Sequence, residues 1–187
     1  MTSGASKFKV DRPERQARVQ VLIRLVVLLA LGSLGLAHFY WFIYLGIPAI
    51  VAVIVSQKGG ARYVGENGLA MSATLRWLAA AVAYLGLLTD EIPGTEPSRV
   101  VHFTPELYGA PTPGEAVARV VFTIPALFIL GALSCLSGVF WIIAALSLLV
   151  RERTPGWAVD FIEFVLRYKL RIVVYHFSLT DRYPSLG

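Results

Sequence analysis

Two similar stretches of the chain carry the side chains best suited to chemistry. Each has Leu-Thr-Asp with a proline three residues after the aspartate, at residues 88–93 and 179–184. If the fold brought Asp90 and Asp181 together, the two carboxylates could exchange protons or bind a cation. The alternative is structural, because proline stops a helix while Thr and Asp side chains satisfy nearby backbone groups. We favour the structural interpretation and predict no catalytic residue.

An arginine and two aromatic residues precede each stretch in the same order. Arg76 and Arg167 are each followed directly by an aromatic residue, and a tyrosine lies eight residues after each arginine. Arginine at a membrane interface can hold a lipid phosphate or pair with the aspartate of the other stretch, and tyrosine is a common interface anchor. We predict that the following residues contact lipid or a partner protein: Arg76, Trp77, Tyr84, Asp90, Arg167, Tyr168, Arg171, Tyr175 and Asp181.

The sequence has no pattern typical of a metal or cofactor site. Cys135 is the only cysteine and the three histidines are far apart, whereas a metal site needs several ligands close together. No nucleotide-binding loop, nucleophile elbow or zinc motif is present. The net charge of +5 could suit nucleic acid, but the basic residues flank apolar runs, as in the cytoplasmic segments of membrane proteins. We predict no metal, no cofactor and no nucleic-acid partner.

Two long uncharged runs, at residues 25–56 and 120–150, dominate the composition. The mean hydropathy is +0.65 and 16% of residues are charged, against about a quarter in soluble domains. Each run exceeds the roughly 20 residues of one span, so we predict two transmembrane or partly re-entrant hairpins with turns near 36–40 and 131–138. One long tilted helix is the alternative for the second run. The small residues of the second turn are predicted to pack within the hairpin or against a partner: Gly131, Ser134, Ser137 and Gly138.

Each hairpin is followed by a predicted amphipathic helix, so the chain consists of two copies of one unit. The matching stretches keep a constant offset, and further upstream Arg18 corresponds to Arg119. Thr112 and Glu115 have the spacing of a capping box, which predicts a helix start. We therefore predict an all-α integral membrane protein with two pseudo-repeats, each a helical hairpin followed by an amphipathic interfacial helix. The predicted boundaries are a disordered cytoplasmic tail at 1–10, repeat 1 at 11–93 (hairpin about 18–56, polar loop 57–68, amphipathic helix about 69–89), a connector at 94–111, and repeat 2 at 112–187 (hairpin about 119–150, amphipathic helix about 156–179).

The distribution of charge predicts the orientation. If both uncharged runs are hairpins and both amphipathic helices lie flat, every Lys and Arg falls on one side of the bilayer. Basic residues are retained on the cytoplasmic side. We therefore expect a multi-pass protein of the bacterial cytoplasmic membrane with both termini in the cytoplasm.

The repeated pattern resembles a bacterial membrane family known as domain of unknown function 4389. The C-terminal copy carries the resemblance most closely, through Gly156-Trp157, Asp160-Phe161, Val165-Leu166-Arg167-Tyr168, Arg171, Tyr175 and the stretch from Leu179-Thr180-Asp181 to Leu186. The N-terminal copy departs from it, since it lacks the Asp-Phe pair and has Ile92 at the position of the usual aromatic residue. The resemblance implies a membrane location and no established activity.

These patterns predict a non-enzymatic accessory or scaffold subunit of a membrane complex. No reactive constellation is present, and the small residues of the second run suit close helix contact. The expected partners are membrane lipids together with other membrane subunits or a second copy of the chain. The alternative is a component that binds or transports anionic lipid, with arginines of the amphipathic helices at the headgroup level.

Overall fold

The protein is mostly helical in the computed structural model, which describes residues 7–11, 13, 16–33, 36–94, 101–105 and 107–186. Within these ranges the chain forms six helices and two short strands. In chain order the elements are β1 (Lys7–Val10), α1 (Arg18–Ser33), α2 (Leu36–Lys58), α3 (Gly60–Leu85), β2 (Val101–Thr104), α4 (Pro113–Phe122), α5 (Ile124–Arg151) and α6 (Gly156–His176).

Helix α6 lies at the centre of the fold because its apolar side chains pack in two directions. Ile162, Leu166 and Leu170 join the cluster that holds Leu75 and Ala79 of α3. On another side, α6 packs against α5 through a second cluster, with these members: Ala126, Leu130, Val165, Tyr168 and Ile172. Spacings of three and four residues place each set on one helix face. The last predicted helix, about 156–179, therefore exists, and much of its surface is inside the protein.

The N-terminal segment forms a strand where we predicted a disordered tail. β1 pairs antiparallel with β2, with Phe8 opposite Phe103 and Val10 opposite Val101. These four side chains are buried against the main core, because alternate residues of a strand share one face. The prediction is therefore wrong for Lys7–Val10, and residues 1–6 lie outside the described part of the chain. β2 likewise gives the connector a strand, so the all-α prediction holds for the other elements alone.

The first uncharged run forms two helices with bounds close to those predicted. α2 already begins at Leu36, so the predicted turn at 36–40 lies inside a helix, and residues 34–35 are outside the described ranges. The polar loop predicted at 57–68 is also wrong, because α3 begins at Gly60. Polar residues do not stop a helix when they pair along it, and here Glu66 binds Arg62 one turn away (2.7 Å).

The second uncharged run contains one long helix instead of a hairpin. The predicted capping box at Thr112 and Glu115 is confirmed at the start of α4. After Thr123, α5 runs unbroken through residues 131–138, so the predicted turn there is wrong. Glycine lowers helix propensity without ending a helix. Packing inside a hairpin is therefore wrong too for Gly131, Ser134, Ser137 and Gly138.

Two helices in the described ranges, α3 and α5, are long and apolar enough to cross a membrane. Within its candidate span only 17% of α5 is buried inside the protein, against 39% for α3. The α5 outer face consists of large exposed apolar side chains: Phe128, Ile129, Leu136, Val139, Ile142, Leu146 and Val150. An apolar surface of this extent indicates contact with a membrane or with another protein.

Candidate functional site

The first predicted Leu-Thr-Asp stretch surrounds a buried arginine. Arg24 of α1 donates from Nη2 to the carbonyl oxygen of Thr89 (2.6 Å) and to Oδ1 of Asp90 (2.8 Å). Its guanidinium carbon lies 4.4 Å from the centroid of the Tyr84 ring, within range of a cation–π interaction. We name these four residues the first arginine cluster. It ties the end of α3 to the middle of α1.

The segment that precedes α1 covers the first arginine cluster. Gln16 donates from Nε2 to the carbonyl oxygen of Leu87 (3.0 Å), and the Ala17 amide donates to Oδ2 of Asp90 (3.0 Å). The Tyr84 hydroxyl donates to Oε1 of Gln20 (2.7 Å). Both oxygens of the Asp90 carboxylate therefore accept hydrogen bonds from the protein itself.

A second buried arginine occupies the same place beside the second stretch. Arg119 of α4 donates from Nη1 to the carbonyl oxygens of Tyr175 (2.9 Å) and Thr180, and from Nη2 to Oδ1 of Asp181. Its guanidinium carbon lies 4.6 Å from the centroid of the Tyr175 ring. We name Arg119, Tyr175, Thr180 and Asp181 the second arginine cluster. It ties the end of α6 to α4.

The backbone that leads into each cluster has the same shape. Leu87 (φ 63°) and Ser178 (φ 54°) adopt the left-handed conformation. The following amides, of Leu88 and Leu179, donate back to carbonyl oxygens five residues earlier (3.0 and 3.2 Å). This is the Schellman ending of a helix, achieved here without glycine. In both copies the threonine side chain then accepts from the amide two residues later. The structural interpretation of the Leu-Thr-Asp stretches accounts for all of these contacts.

The connector forms a strap over the second arginine cluster. The Tyr108 amide donates to the carbonyl oxygen of Leu179 (2.9 Å), and the Asp181 amide donates to that of Tyr108 (3.1 Å). Gly109 has φ 118°, and any β-carbon there would collide with the Asp181 carboxylate. Only glycine adopts that conformation at little cost. The strap therefore depends on glycine at position 109.

Burial and charge explain what the clusters can do. Arg24 is fully buried and Arg119 is 4% exposed, while the side chains of Asp90 and Asp181 are 25% and 43% exposed. A buried cation is costly unless a carboxylate and hydrogen bonds compensate it. Each carboxylate is therefore occupied by its own arginine, and no contact joins the two aspartates among the described residues. This arrangement favours an architectural role for both.

The remaining residues predicted to contact lipid divide into buried and exposed groups. Tyr84, Tyr168 and Tyr175 are buried, so their predicted contact with lipid does not fit the structure. Trp77 is 49% exposed and Arg76 half-buried, on the outside of α3.

The arginines of α6 have partners other than an aspartate. Arg167 pairs with Glu163 (3.2 Å), and Arg171 donates to the carbonyl oxygen of Ser185 (2.8 Å). The predicted pairing of Arg76 or Arg167 with an aspartate of the other stretch is therefore wrong.

The two arginines that do bind the aspartates were not among the predicted site residues. The sequence matched Arg18 with Arg119, but Arg18 pairs with Glu152 on the surface (3.0 Å). Arg24 takes the place of Arg119 in the first cluster. The sequence did contain a signal for both, because each arginine directly precedes a long apolar run. A charge in that position needs a buried partner.

An apolar groove of about 420 Å³ lies beside α6. It is lined by Tyr44, Ile47, Leu78, Leu127, Ile172, Val173, His176 and Phe177. His176 stacks on Tyr44, with ring centroids 4.7 Å apart, and its Nε2 contacts the Tyr44 carbonyl oxygen (2.8 Å). Since a carbonyl can only accept, Nε2 carries the proton. Burial, and to a smaller extent the charge of Arg119, lowers the pKa of His176, while the Tyr44 carbonyl opposes that shift.

The second arginine cluster lies in the segment of the chain that matches a family model. Residues 113–186 match the family model described as Domain of unknown function (DUF4389). The predicted resemblance is thereby confirmed over α4, α5 and α6. Curated proteins and solved structures gave no match to the chain. Among the described residues, no group of His, Cys, Asp and Glu side chains is arranged to hold a metal ion.

Proposed function

We propose that the protein is a non-enzymatic accessory or scaffold subunit of a complex in the bacterial cytoplasmic membrane. The observation that carries this proposal is the α5 outer face, which is apolar along its length and has no partner helix in the described chain. Gly131 and Gly138 are exposed on α5, and a β-carbon on either would meet nothing within 4 Å. Bare glycines allow close approach of a second helix.

The chemistry of the arginine clusters agrees with a non-enzymatic role. The two aspartates that could have been reactive instead hold helix ends together, each paired with a buried arginine. Asp90 and Asp181 each accept a hydrogen bond from a guanidinium, so both carboxylates are engaged in holding helix ends.

Contacts between distant segments support a single-sided arrangement of the polar parts. β1 pairs with β2, and the C-terminal Asp181 bonds to Tyr108 of the connector. Hydrogen-bonded segments must lie on the same side of a bilayer, so the N-terminal strand, connector and C-terminal stretch share one side. We assign that side to the cytoplasm because the basic residues lie there.

The two ends of α3 support its placement in the interface plane. Gly60, at its start, lies against the backbone of Ala110 and Pro111 in the connector. Its end contacts Gln16, before α1. Both neighbours belong to the shared polar side, so α3 lies along that side although it is long enough to span.

The likeness of the two arginine clusters supports the internal repeat. Both combine a buried arginine, a tyrosine ring under it, a Schellman ending and a Thr-Asp pair. In this alignment Arg24 corresponds to Arg119. The repeated unit is then an arginine-bearing helix and a later helix whose C-terminal end that arginine binds.

The test is co-purification from mild detergent followed by mass spectrometry of the associated proteins. We compare the wild type with the double variant Gly131→Leu, Gly138→Leu and with the control Gly65→Leu, Gly114→Leu. None of these glycines has an atom within 4 Å of an added β-carbon, so all variants should fold. We expect the α5 variant to lose a co-purifying subunit, or self-association, that the control retains.

Two results would count against the proposal. A clean monomer at every detergent concentration means that the protein has no stable partner. Equal retention of partners by the α5 variant and the control removes the α5 outer face as the contact surface.

Anionic-lipid binding is the second candidate function. It is favoured by the half-buried Arg76, which has no ion pair or hydrogen bond among the described residues, and by the apolar groove beside α6. Arg76→Ala with Arg167→Ala should reduce the anionic lipid that co-purifies with the protein. Unchanged lipid content would remove these two arginines from the lipid-binding surface.

A further inference from the structure

Lys169 differs from the buried arginines because no described carboxylate forms an ion pair with it. Arg24 and Arg119 are each paired with an aspartate. Lys169 is half-buried in the middle of α6 and has no ion pair or hydrogen bond within the described part of the chain. Burial lowers the pKa of its ammonium group, with no opposing effect from a neighbouring anion. Among the described residues, therefore, no anion pairs with this cation.

The apolar groove lies on the same side of α6 as Lys169. Ile172, Val173 and His176 line the groove, and they follow Lys169 by three, four and seven residues. Residues with that spacing share one helix face. Lys169 is therefore one turn before the α6 wall of the groove, on the same helix face, and a lysine side chain is long enough to reach that end of the groove.

This combination defines the chemistry of the occupant. Apolar walls bind hydrocarbon, and an unpaired ammonium group at one end attracts an anion. A lysine stem can also extend along apolar surface and carry its charge to a headgroup. One molecule with a hydrocarbon chain and an anionic head satisfies both parts of the site.

We infer that the groove binds one acyl chain of an anionic phospholipid whose phosphate pairs with Lys169. The inference rests on the membrane location in the proposed function and names a lipid site within it. The matched second half of the chain supplies most of the groove, through Leu127 and the α6 residues. α2 and α3 supply the rest, through Tyr44, Ile47 and Leu78.

The experiment measures lipid retention by native mass spectrometry of the full chain. Delipidated protein in dodecyl maltoside is titrated with dioleoyl phosphatidylglycerol or, in parallel, dioleoyl phosphatidylcholine, which has the same chains and no net charge. Lys169→Met should weaken phosphatidylglycerol retention about fivefold, as expected for one basic residue at a headgroup. It should weaken phosphatidylcholine retention less, because the choline ammonium offsets the charge of the phosphate. Lys169→Arg should restore the preference.

Two further variants separate the charge from the groove. Leu78→Trp fills the groove from its exposed edge and should reduce retention of both lipids. Arg151→Met removes one exposed charge at the end of α5 and should change neither. Lys169→Met removes a desolvated charge, so the variant should melt at a temperature no lower than the wild type. This measurement distinguishes a loss of lipid binding from a loss of folding.

The outcomes are distinct. Equal phosphatidylglycerol retention by wild type, Lys169→Met and Leu78→Trp overturns the site. Displacement of the lipid by millimolar inorganic phosphate would show that the site does not need an acyl chain. Detection of a second copy of the chain, or of another protein, bound in place of lipid would show that the proposed occupant is wrong. Carbonate extraction of cells is measured alongside, since release into the soluble fraction would refute the proposed function itself.

Discussion

The two arginine clusters should differ in how much stability their aspartates contribute. Asp90→Asn leaves Arg24 fully buried without a carboxylate, and one backbone carbonyl is its only other acceptor among the described residues. Nε and Nη1 of Arg24 already have no hydrogen-bond partner among the described residues. Asp181→Asn leaves Arg119 with two backbone carbonyls, and Asp181 itself is 43% exposed. The loss of Asp90 should therefore be the more costly change.

The magnitudes follow from the burial of each pair. Removing one partner of a buried ion pair costs about 3–5 kcal/mol. The loss in free energy of unfolding should be about 3 kcal/mol for Asp90→Asn, at the low end of that range, because asparagine still offers an acceptor. It should be about 1 kcal/mol for Asp181→Asn, because solvent screens the exposed pair. A chain of this size loses roughly 2–4 °C of melting temperature per kcal/mol. The expected losses are about 6–12 °C for Asp90→Asn and about 2–4 °C for Asp181→Asn.

Thermal unfolding in detergent, followed by tryptophan fluorescence, measures both losses. The double variant Arg24→Met, Asp90→Asn is the control, because an apolar replacement of a whole buried pair is often nearly neutral. It should recover part of the stability lost in Asp90→Asn. If Asp181→Asn is as damaging as Asp90→Asn, or if the double variant is worse than both single changes combined, then burial of the guanidinium does not control stability here.

Two other predictions concern the strap and the groove. Gly109→Ala should destabilise the protein by about 2 kcal/mol, because it strains the backbone and displaces the Asp181 carboxylate. Gly114→Ala is the matched control in the same unfolding assay, because a β-carbon there meets nothing within 4 Å. Equal effects of the two substitutions would refute the role of the strap. Burial lowers the pKa of His176 in the folded protein. As the pH falls through the ordinary histidine pKa, His176 therefore takes up a proton in the unfolded protein before it does so in the folded protein. Stability should therefore fall as pH drops below about 6.5. His176→Phe, which keeps the stacking on Tyr44, should flatten this pH dependence, and an unchanged slope would exclude His176 as its cause.

The sequence predicted those helix starts and ends that are fixed by hydrogen bonds between neighbouring residues. The capping box at Thr112 and Glu115 and the terminators after α3 and α6 were all recognisable, because their hydrogen bonds join residues close in sequence. Glycine misled the prediction in two places, at the start of α3 and in the middle of α5. Its effect on a helix depends on packing that a single sequence does not reveal.

Contacts between distant segments escaped the sequence for a different reason. Arg24 and Asp90 meet only because α1 returns to the end of α3, and nothing in their spacing specifies that return. The strand at Lys7–Val10 is also fixed by a partner almost a hundred residues away. The charges therefore indicated that partners must exist, while the fold alone determined which residues they were.

The position of the two buried arginines gives them a common physical role. Arg119 binds the Tyr175 carbonyl at the end of α6 and the Thr180 carbonyl just beyond it. Arg24 binds the Thr89 carbonyl just beyond α3. A cation at a helix C-terminus is favoured by the helix dipole and by carbonyls that lack helical partners. In an apolar surrounding this attraction is stronger than in water. Each arginine therefore holds a polar helix end against a neighbouring helix, so exposed surfaces such as the α5 outer face can remain apolar without leaving those carbonyls unsatisfied.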